Sequence, residues 1–320
     1  MTRRPVSIAI LGATSQIAQD LILSFAADGH TALHLFARRP EVVSQWLAAR
    51  VLPARYPVAT FAGFGQQDFD VVINFVGVGN PAQTLALGNT LLDTTLQYDL
   101  LVLDYLRTHP ACRYLFLSSG AAYGARFSAP VTEETPAVIP INALSAADLY
   151  GVAKLYAECR HRAHPEWAIV DMRVFNYFSH TQDLAARFFV TDMLRAIRDG
   201  EVLSTSPDYM VRDFLHPTDF YRLVQAILAA PPTHAVLDCY SRAPIDKPTL
   251  LAAMQEKFGL QYQVTAGGAC VNATGAKPYY YSLNRRAAAF GYQPGLTSLE
   301  GIVQEAEKIL GRPARSLSIP

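Results

Sequence analysis

The chain has 320 residues, of which 51% are hydrophobic, enough for a large core and too many for a disordered segment. Lys plus Arg and Asp plus Glu each number 27, so the formal net charge is zero. That balance argues against a nucleic-acid binder, which normally carries a basic surplus.

In chain order, "VSIAILG" (6–12) is a continuous apolar run of the kind buried on both faces of a parallel sheet. The next stretch, "SQIAQDLILSFAAD" (15–28), switches to helical spacing, with Gly29 placed to end it. A strand over 31–38, a helix over 41–50 and strands over 56–62 and 69–77 follow. Then come a long helix over 89–108, a strand over 112–120, a helix around Tyr150 and a sixth strand over 167–175. Strand and helix alternate throughout, which predicts an α/β fold with a doubly wound parallel sheet. The expected division is a dinucleotide-binding Rossmann domain over 1–175 and a smaller mixed α/β substrate domain over 176–320. Residues 213–240 of the second part are expected to pack back on the first. Helices are predicted over 183–200, 217–230, 249–260 and 298–310.

Cys112, Cys159, Cys239 and Cys270 lack metal or disulfide spacing and read as buried thiols of a reducing compartment. No signal peptide or membrane span is expected, so the reading is cytoplasmic and the "NAT" sequon at Asn272 carries no weight. His109, His161, His164 and His180 are scattered, and no metal is expected.

Two stretches carry chemistry. In "LGATSQIAQDL" a strand runs through Gly12 into a helix, the setting in which backbone N–H groups face a pyrophosphate. Ser15 and Ala18 stand where further glycines are usual, but both are small. Arg38 and Arg39 follow the second strand, where a ribose-binding carboxylate would select NAD; arginine there suits the 2′-phosphate of NADP. In "LYGVAKLYAE" (149–158), Tyr150 and Lys154 lie one helical turn apart and point the same way. An ammonium near a phenol favours the phenolate, which suits proton transfer near neutral pH.

The Gly12 turn, "FLSSGAAYG" (116–124) and "YGVAK" (150–154) occur in the order that resembles the extended short-chain dehydrogenase/reductases, the branch of nucleotide-sugar epimerases, dehydratases and ketoreductases. The stretches "MRVFNYFS" (172–179), "VRDFLHPTDF" (211–220) and "SLNRRAAAFGYQPGLTSLEGI" (282–302) are similar to that branch's later motifs, so the likeness runs nearly the whole length. The resemblance implies Ser119 (with Ser118 as alternative), Tyr150 and Lys154 as the catalytic set. Lys154 would hold the nicotinamide ribose and lower the tyrosine pKa. It assigns the dinucleotide to Gly12, Thr14, Ser15, Gln16, Ile17, Arg38, Arg39, Val76 and Lys154. Asn176 would meet the substrate phosphate and Arg212 would clamp a nucleotide-sugar pyrophosphate, with Asp213 and His216 bracing the loop. A homodimer is implied, paired through the 89–108 helix (Leu91, Leu92, Thr95, Leu96, Leu103) and the Tyr150 helix.

Two departures stand out. The segment before Tyr150, "AVIPINALSAADL", is longer than usual, and Ser179-His180 replaces a Gly-Pro. Dehydratases of the branch carry Asp-Glu after the catalytic Ser/Thr; here Gly120-Ala121 follow Ser119, which argues against elimination. Between the remaining two, Arg38 and Arg39 favour an NADP-dependent ketoreductase acting on a nucleotide-linked deoxysugar. An NAD-dependent epimerase and a reductase of a non-sugar carbonyl are the alternatives. Tyr279 to Tyr281 and Arg285 with Arg286 read as packing and a solvated face rather than as base-stacking or phosphate-binding groups.

Overall fold

The computed structural model describes residues 5–30, 32–50, 56–77, 90–124, 126–265 and 277–314. Strands β1 (Ile8–Leu11), β2 (Leu33–Phe36), β3 (Val58–Ala59), β4 (Val71–Asn74), β5 (Arg113–Ser119) and β6 (Ile169–Val174) form one parallel sheet. Its helices are α1 (Gln16–Ala27), α2 (Pro40–Ala49), α3 (Thr90–Thr108) and α4 (Leu149–Arg162). Side chains alternate across β1, so the strand feeds two cores. Ile8 and Ile10 join Leu21, Phe25 and Val43 on one side. Ala9 and Leu11 join Val102, Leu103 and Leu106 on the other. This is why the run reads as continuously apolar.

After β6 the chain leaves the sheet. β7 (Asn176–Tyr177), α5 (Phe189–Asp199), β8 (Val202–Thr205), β9 (Val211–Arg212) and β10 (Phe214–Leu215) build the outlying part. Helix α6 (Pro217–Ala229) then returns against α1, and β11 (Ala235–Asp238) pairs with β6. The sheet is thus seven-stranded, in the order β11-β6-β5-β4-β1-β2-β3. The chain closes with β12 (Ile245–Asp246), α7 (Lys247–Phe258), β13 (Gln261–Val264), β14 (Tyr279–Tyr280) and α8 (Ser298–Leu310). α5, α7 and α8 share a separate core that includes Met193, Leu194, Leu251, Met254 and Ile302.

Several expected boundaries shift. The third strand shortens to Val58–Ala59 because a 3-10 turn, Phe61–Gly63, follows at once. The helix expected at 183 begins at Phe189, since Asp183 spends its carboxylate on the N–H of Ala185 in the preceding turn. The helix expected at 249 begins at Lys247, because Asp246 caps it by accepting from the N–H of Thr249 at 2.8 Å and Pro248 fits the first turn. Among the cysteines, Cys112 and Cys239 are buried but Cys159 is exposed, on the outer face of α4; Cys270 lies outside the described residues. So does Asn272.

The α3–α4 expectation also changes. Leu91, Thr95 and Leu103 are buried within the protomer, so they are taken up by its own core rather than by a partner.

Between α4 and the sheet lies a buried charge network. Glu158 accepts from Ser118 Oγ at 2.6 Å and from Arg173 through Nε at 2.9 Å and Nη2 at 2.5 Å. Burial pushes the Glu158 carboxyl up, but the Arg173 guanidinium wins and holds it below the usual range. His161 bridges Asp171 at 2.6 Å and Asp99 at 2.8 Å. Burial opposes its protonation, yet the two carboxylates raise its pKa to about 10.

Candidate active site

The C-terminal edge of the sheet gathers the chemistry. Gly12 has a φ of 79°, and a Cβ there would lie 2.9 Å from the backbone N of Val76. Glycine therefore lets the β1 turn press against the β4 turn and brings Val76 to the Gly12 edge. Ser15 caps α1 with its backbone only and leaves its hydroxyl unused for capping. Thr14 is exposed, and Ser15, Gln16 and Ile17 are half-buried along the same turn. The Nε2 of Gln16 is buried with no hydrogen-bond partner among the described residues. An unfilled helix N-terminus, an orphaned amide and a Cβ-free cradle fit a dinucleotide pyrophosphate. Arg38 and Arg39 are exposed at the end of β2, where α2 begins.

Gly151 sets the other wall. A Cβ there would lie 2.5 Å from the carbonyl oxygen of Ala121, so α4 can approach the turn after β5 only with glycine at this place. That approach brings Tyr150 beside Ser119. Ser119 Oγ lies 3.3 Å from the hydroxyl of Tyr280 and accepts from the N–H of Ala121. Ser118 points away, to Glu158. The geometry thus separates the two serines: only Ser119 faces the tyrosine.

Lys154 is buried, its Nζ donating to the carbonyl of Leu117 at 2.7 Å and lying 4.5 Å from the Phe116 ring. It sits 6.0 Å from the Tyr150 ring, and a Cβ on Gly77 would be 3.3 Å from it, so it borders the β4 turn. Burial lowers its pKa to about 8, against the pull of Asp99, Glu158 and Asp171. The expectation that Lys154 lowers the Tyr150 pKa is not met in this arrangement. Burial raises the phenol, with the Ser119 hydrogen bond opposing, because the ammonium is engaged by a backbone carbonyl instead.

Asn176 is half-buried, its Nδ2 donating to the carbonyl of Asp213 at 3.1 Å. Arg212 is buried and donates to the carbonyls of Val211 and Lys277. Asp213 accepts from Ser241 and Ser298, and His216 caps α6 while meeting Glu305. Both brace their loop. The Ser179-His180 segment is anchored to α8, since Glu305 accepts from His180 through its backbone N–H and faces its ring at 2.6 Å. Arg285 stacks over Tyr240 and Arg286 pairs with Glu133.

Sequence reading missed Tyr280, whose ring packs with Phe127 and Phe175 while its hydroxyl reaches Ser119. It also missed Lys277, which with Tyr150, Asp148, Ile139 and Ala147 lines a shallow cleft. The long segment before Tyr150 supplies three of those residues, Ile139, Ala147 and Asp148. Among the described residues no group of His, Cys, Asp and Glu could hold a metal.

Residues 8–237 match the model of the NAD dependent epimerase/dehydratase family. The chain belongs to this family. That family is of the extended short-chain dehydrogenase/reductase type. A UDP-glucose 4-epimerase of Cyamopsis tetragonoloba is 33% identical over 117 residues, 35% of this chain and 31% of that protein. One of Bacillus subtilis (strain 168) is 26% identical over 119 residues, 36% of this chain and 33% of its own length. The matched stretch thus spans about a third of these curated relatives. Among solved structures, the UDP-glucose 4-epimerase from Bifidobacterium longum in complex with NAD+ and UDP has a TM-score of 0.75. It is 18% identical, with 96% of this chain and 98% of that one covered. The UDP-glucuronic acid 4-epimerase from Bacillus cereus, in complex with UDP-glucuronic acid and NAD, has a TM-score of 0.77 at 16% identity. There the cover is 95% of this chain and 99% of that one. At these identities the likeness is one of fold.

Proposed function

We propose that this member of the family is an NAD-dependent epimerase that inverts a secondary alcohol on a nucleotide-linked hexose. The observation that carries the reading is the Ser119–Tyr150 pair on the sheet edge beside Lys154 and the Gly12 turn. The relatives, UDP-glucose 4-epimerases, favour inversion over net reduction. The dinucleotide, when bound, supplies reversible two-electron oxidation of a carbinol carbon. Gly12, Gln16 and the first turn of α1 would hold its pyrophosphate, and Lys154 its ribose.

The remaining work falls to this chain. Tyr150 takes the hydroxyl proton as the alcohol is oxidised and returns one as it is restored. Ser119 hydrogen-bonds the same oxygen, and Tyr280 holds Ser119 from behind. Arg212 and Asn176 grip the diphosphate, for which a guanidinium fork is well shaped. Gly120 and Ala121 offer no acid or base for loss of water, which sets a dehydratase aside.

The test is incubation of the protein as purified with UDP-glucose or UDP-galactose and no added cofactor. Interconversion of the two, with no net change in nicotinamide absorbance, is the expected result. The exposed Arg38 and Arg39 favour a second reading, a ketoreductase using NADP. Stoichiometric consumption of added NADPH by a nucleotide-linked keto-sugar, without interconversion, would establish that reading instead. A homodimer is part of the proposal, and Leu100 on α3 and Tyr156 on α4 are exposed where two such helices would meet. Among the described residues no helix is long and apolar enough to cross a membrane.

A further inference from the structure

Lys277 stands outside every role assigned so far. The residue is only 7% exposed, yet among the described residues no hydrogen bond and no carboxylate within 4.0 Å engages its ammonium. The Nζ lies over two aromatic faces, 4.7 Å from the Tyr280 ring and 5.5 Å from Phe127. The same residue lines the cleft onto which Tyr150 opens. Burial lowers its pKa to about 8, helped by the nearby Arg212 and opposed by Asp148. A buried ammonium that no acceptor contacts among the described residues is costly unless something anionic joins it.

We propose that Lys277 reads a carboxylate on the sugar itself, so that nucleotide-linked hexuronic acids are preferred over the neutral hexoses. The inference rests on the reading of the site as a nucleotide-sugar epimerase. Tyr150 must meet the oxygen of the carbon that reacts, taken here as C4. In a hexopyranose the C6 group hangs from C5, next to C4, whereas the diphosphate hangs from C1 across the ring. A cation that shares a cleft with the phenol therefore meets the C6 group sooner than the diphosphate. Arg212 stands farther from the shared Tyr280 ring, 5.9 Å against 4.7 Å, and is left for the diphosphate. A charge-assisted contact to a carboxylate rewards an acid over a neutral sugar, which leaves the ammonium unpaired.

The experiment is calorimetric titration of the purified protein, and of Lys277→Gln, with UDP, UDP-glucose and UDP-glucuronic acid. Wild type is expected to bind UDP-glucuronic acid at least about ten-fold more tightly than UDP-glucose, a preference within what a charged hydrogen bond supplies. Lys277→Gln is expected to abolish that preference and to leave UDP affinity unchanged. Equal affinities for the two sugars in wild type would overturn the inference, and this comparison stands even where the variant does not fold. An equal loss for UDP and both sugars in Lys277→Gln would also overturn it, because the ammonium would then serve the diphosphate. Absence of UDP binding would overturn the nucleotide-sugar reading and this inference together. UDP binding without discrimination between sugars overturns the inference alone.

Discussion

Tyr150→Phe is expected to cut turnover by roughly 10²–10⁴-fold, the usual worth of a positioned proton donor. The substitution removes one oxygen. In the free protein that oxygen faces Ser119, and losing such a polar neighbour costs about 1 kcal/mol at most. The ring stays in place on α4, and the Gly151 approach to Ala121 is untouched. The variant is therefore expected to fold, to melt within a few degrees of wild type and to keep its nucleotide, while epimerisation nearly stops. Steady-state turnover together with the ratio of dinucleotide to protein after purification checks both halves. Turnover within a few-fold of wild type would remove Tyr150 from the chemistry. Loss of the dinucleotide alongside activity would mean that the phenol builds the cofactor site rather than moves the proton.

The largest effect on stability is expected at Glu158→Ala. Glu158 is fully buried and receives Arg173 and Ser118. Its removal leaves the guanidinium with Asp238 at 3.7 Å as its nearest remaining carboxylate. Breaking a buried pair by deleting one partner typically costs about 3–5 kcal/mol, because the surviving charge keeps its burial and loses its counter-ion. Urea unfolding is expected to show a midpoint lowered accordingly with an unchanged slope. Glu158→Gln, which keeps the shape and two polar atoms, is expected to lose less. A loss below about 1 kcal/mol for Glu158→Ala would show that Arg173 finds Asp238 or water readily and that the network is not strongly coupled. Ser118 would then be free to turn, so the separation of the two serines depends on this carboxylate.

Where local pattern dictates structure, the sequence was legible. The apolar run of β1, the helical spacing of α1 and the glycine after it are properties of neighbouring residues. Tyr150 and Lys154 share a helix turn, so their common direction could be read without a structure. Ser119 could be placed only through the family motif, and its separation from Ser118 needed the position of Glu158 forty residues away. Tyr280 reaches Ser119 across 161 residues, and nothing in "PYYYS" marks the middle tyrosine for that contact. Lys277 was invisible for the same reason, since its meaning lies in what does not surround it. The hydrogen bond from the Lys154 ammonium to Leu117 was not legible, because a backbone carbonyl is something every residue carries. Leu91, Thr95 and Leu103 look alike whether an apolar helix face meets its own chain or another.

The seventh strand of the sheet, β11, is supplied only after the chain has made its excursion through the outlying part. Order along the chain and order in space therefore part company. On a ribosome, the edge of β6 stays bare until residues 235–238 have emerged, and much of the outlying segment must already be outside by then. Its exposed backbone groups are a ready template for the wrong neighbour during that interval. The half built on the β1–β6 sheet consequently cannot finish as an independent early product of synthesis. Its completion waits on residues from the other half, a non-local pairing of the kind that slows folding.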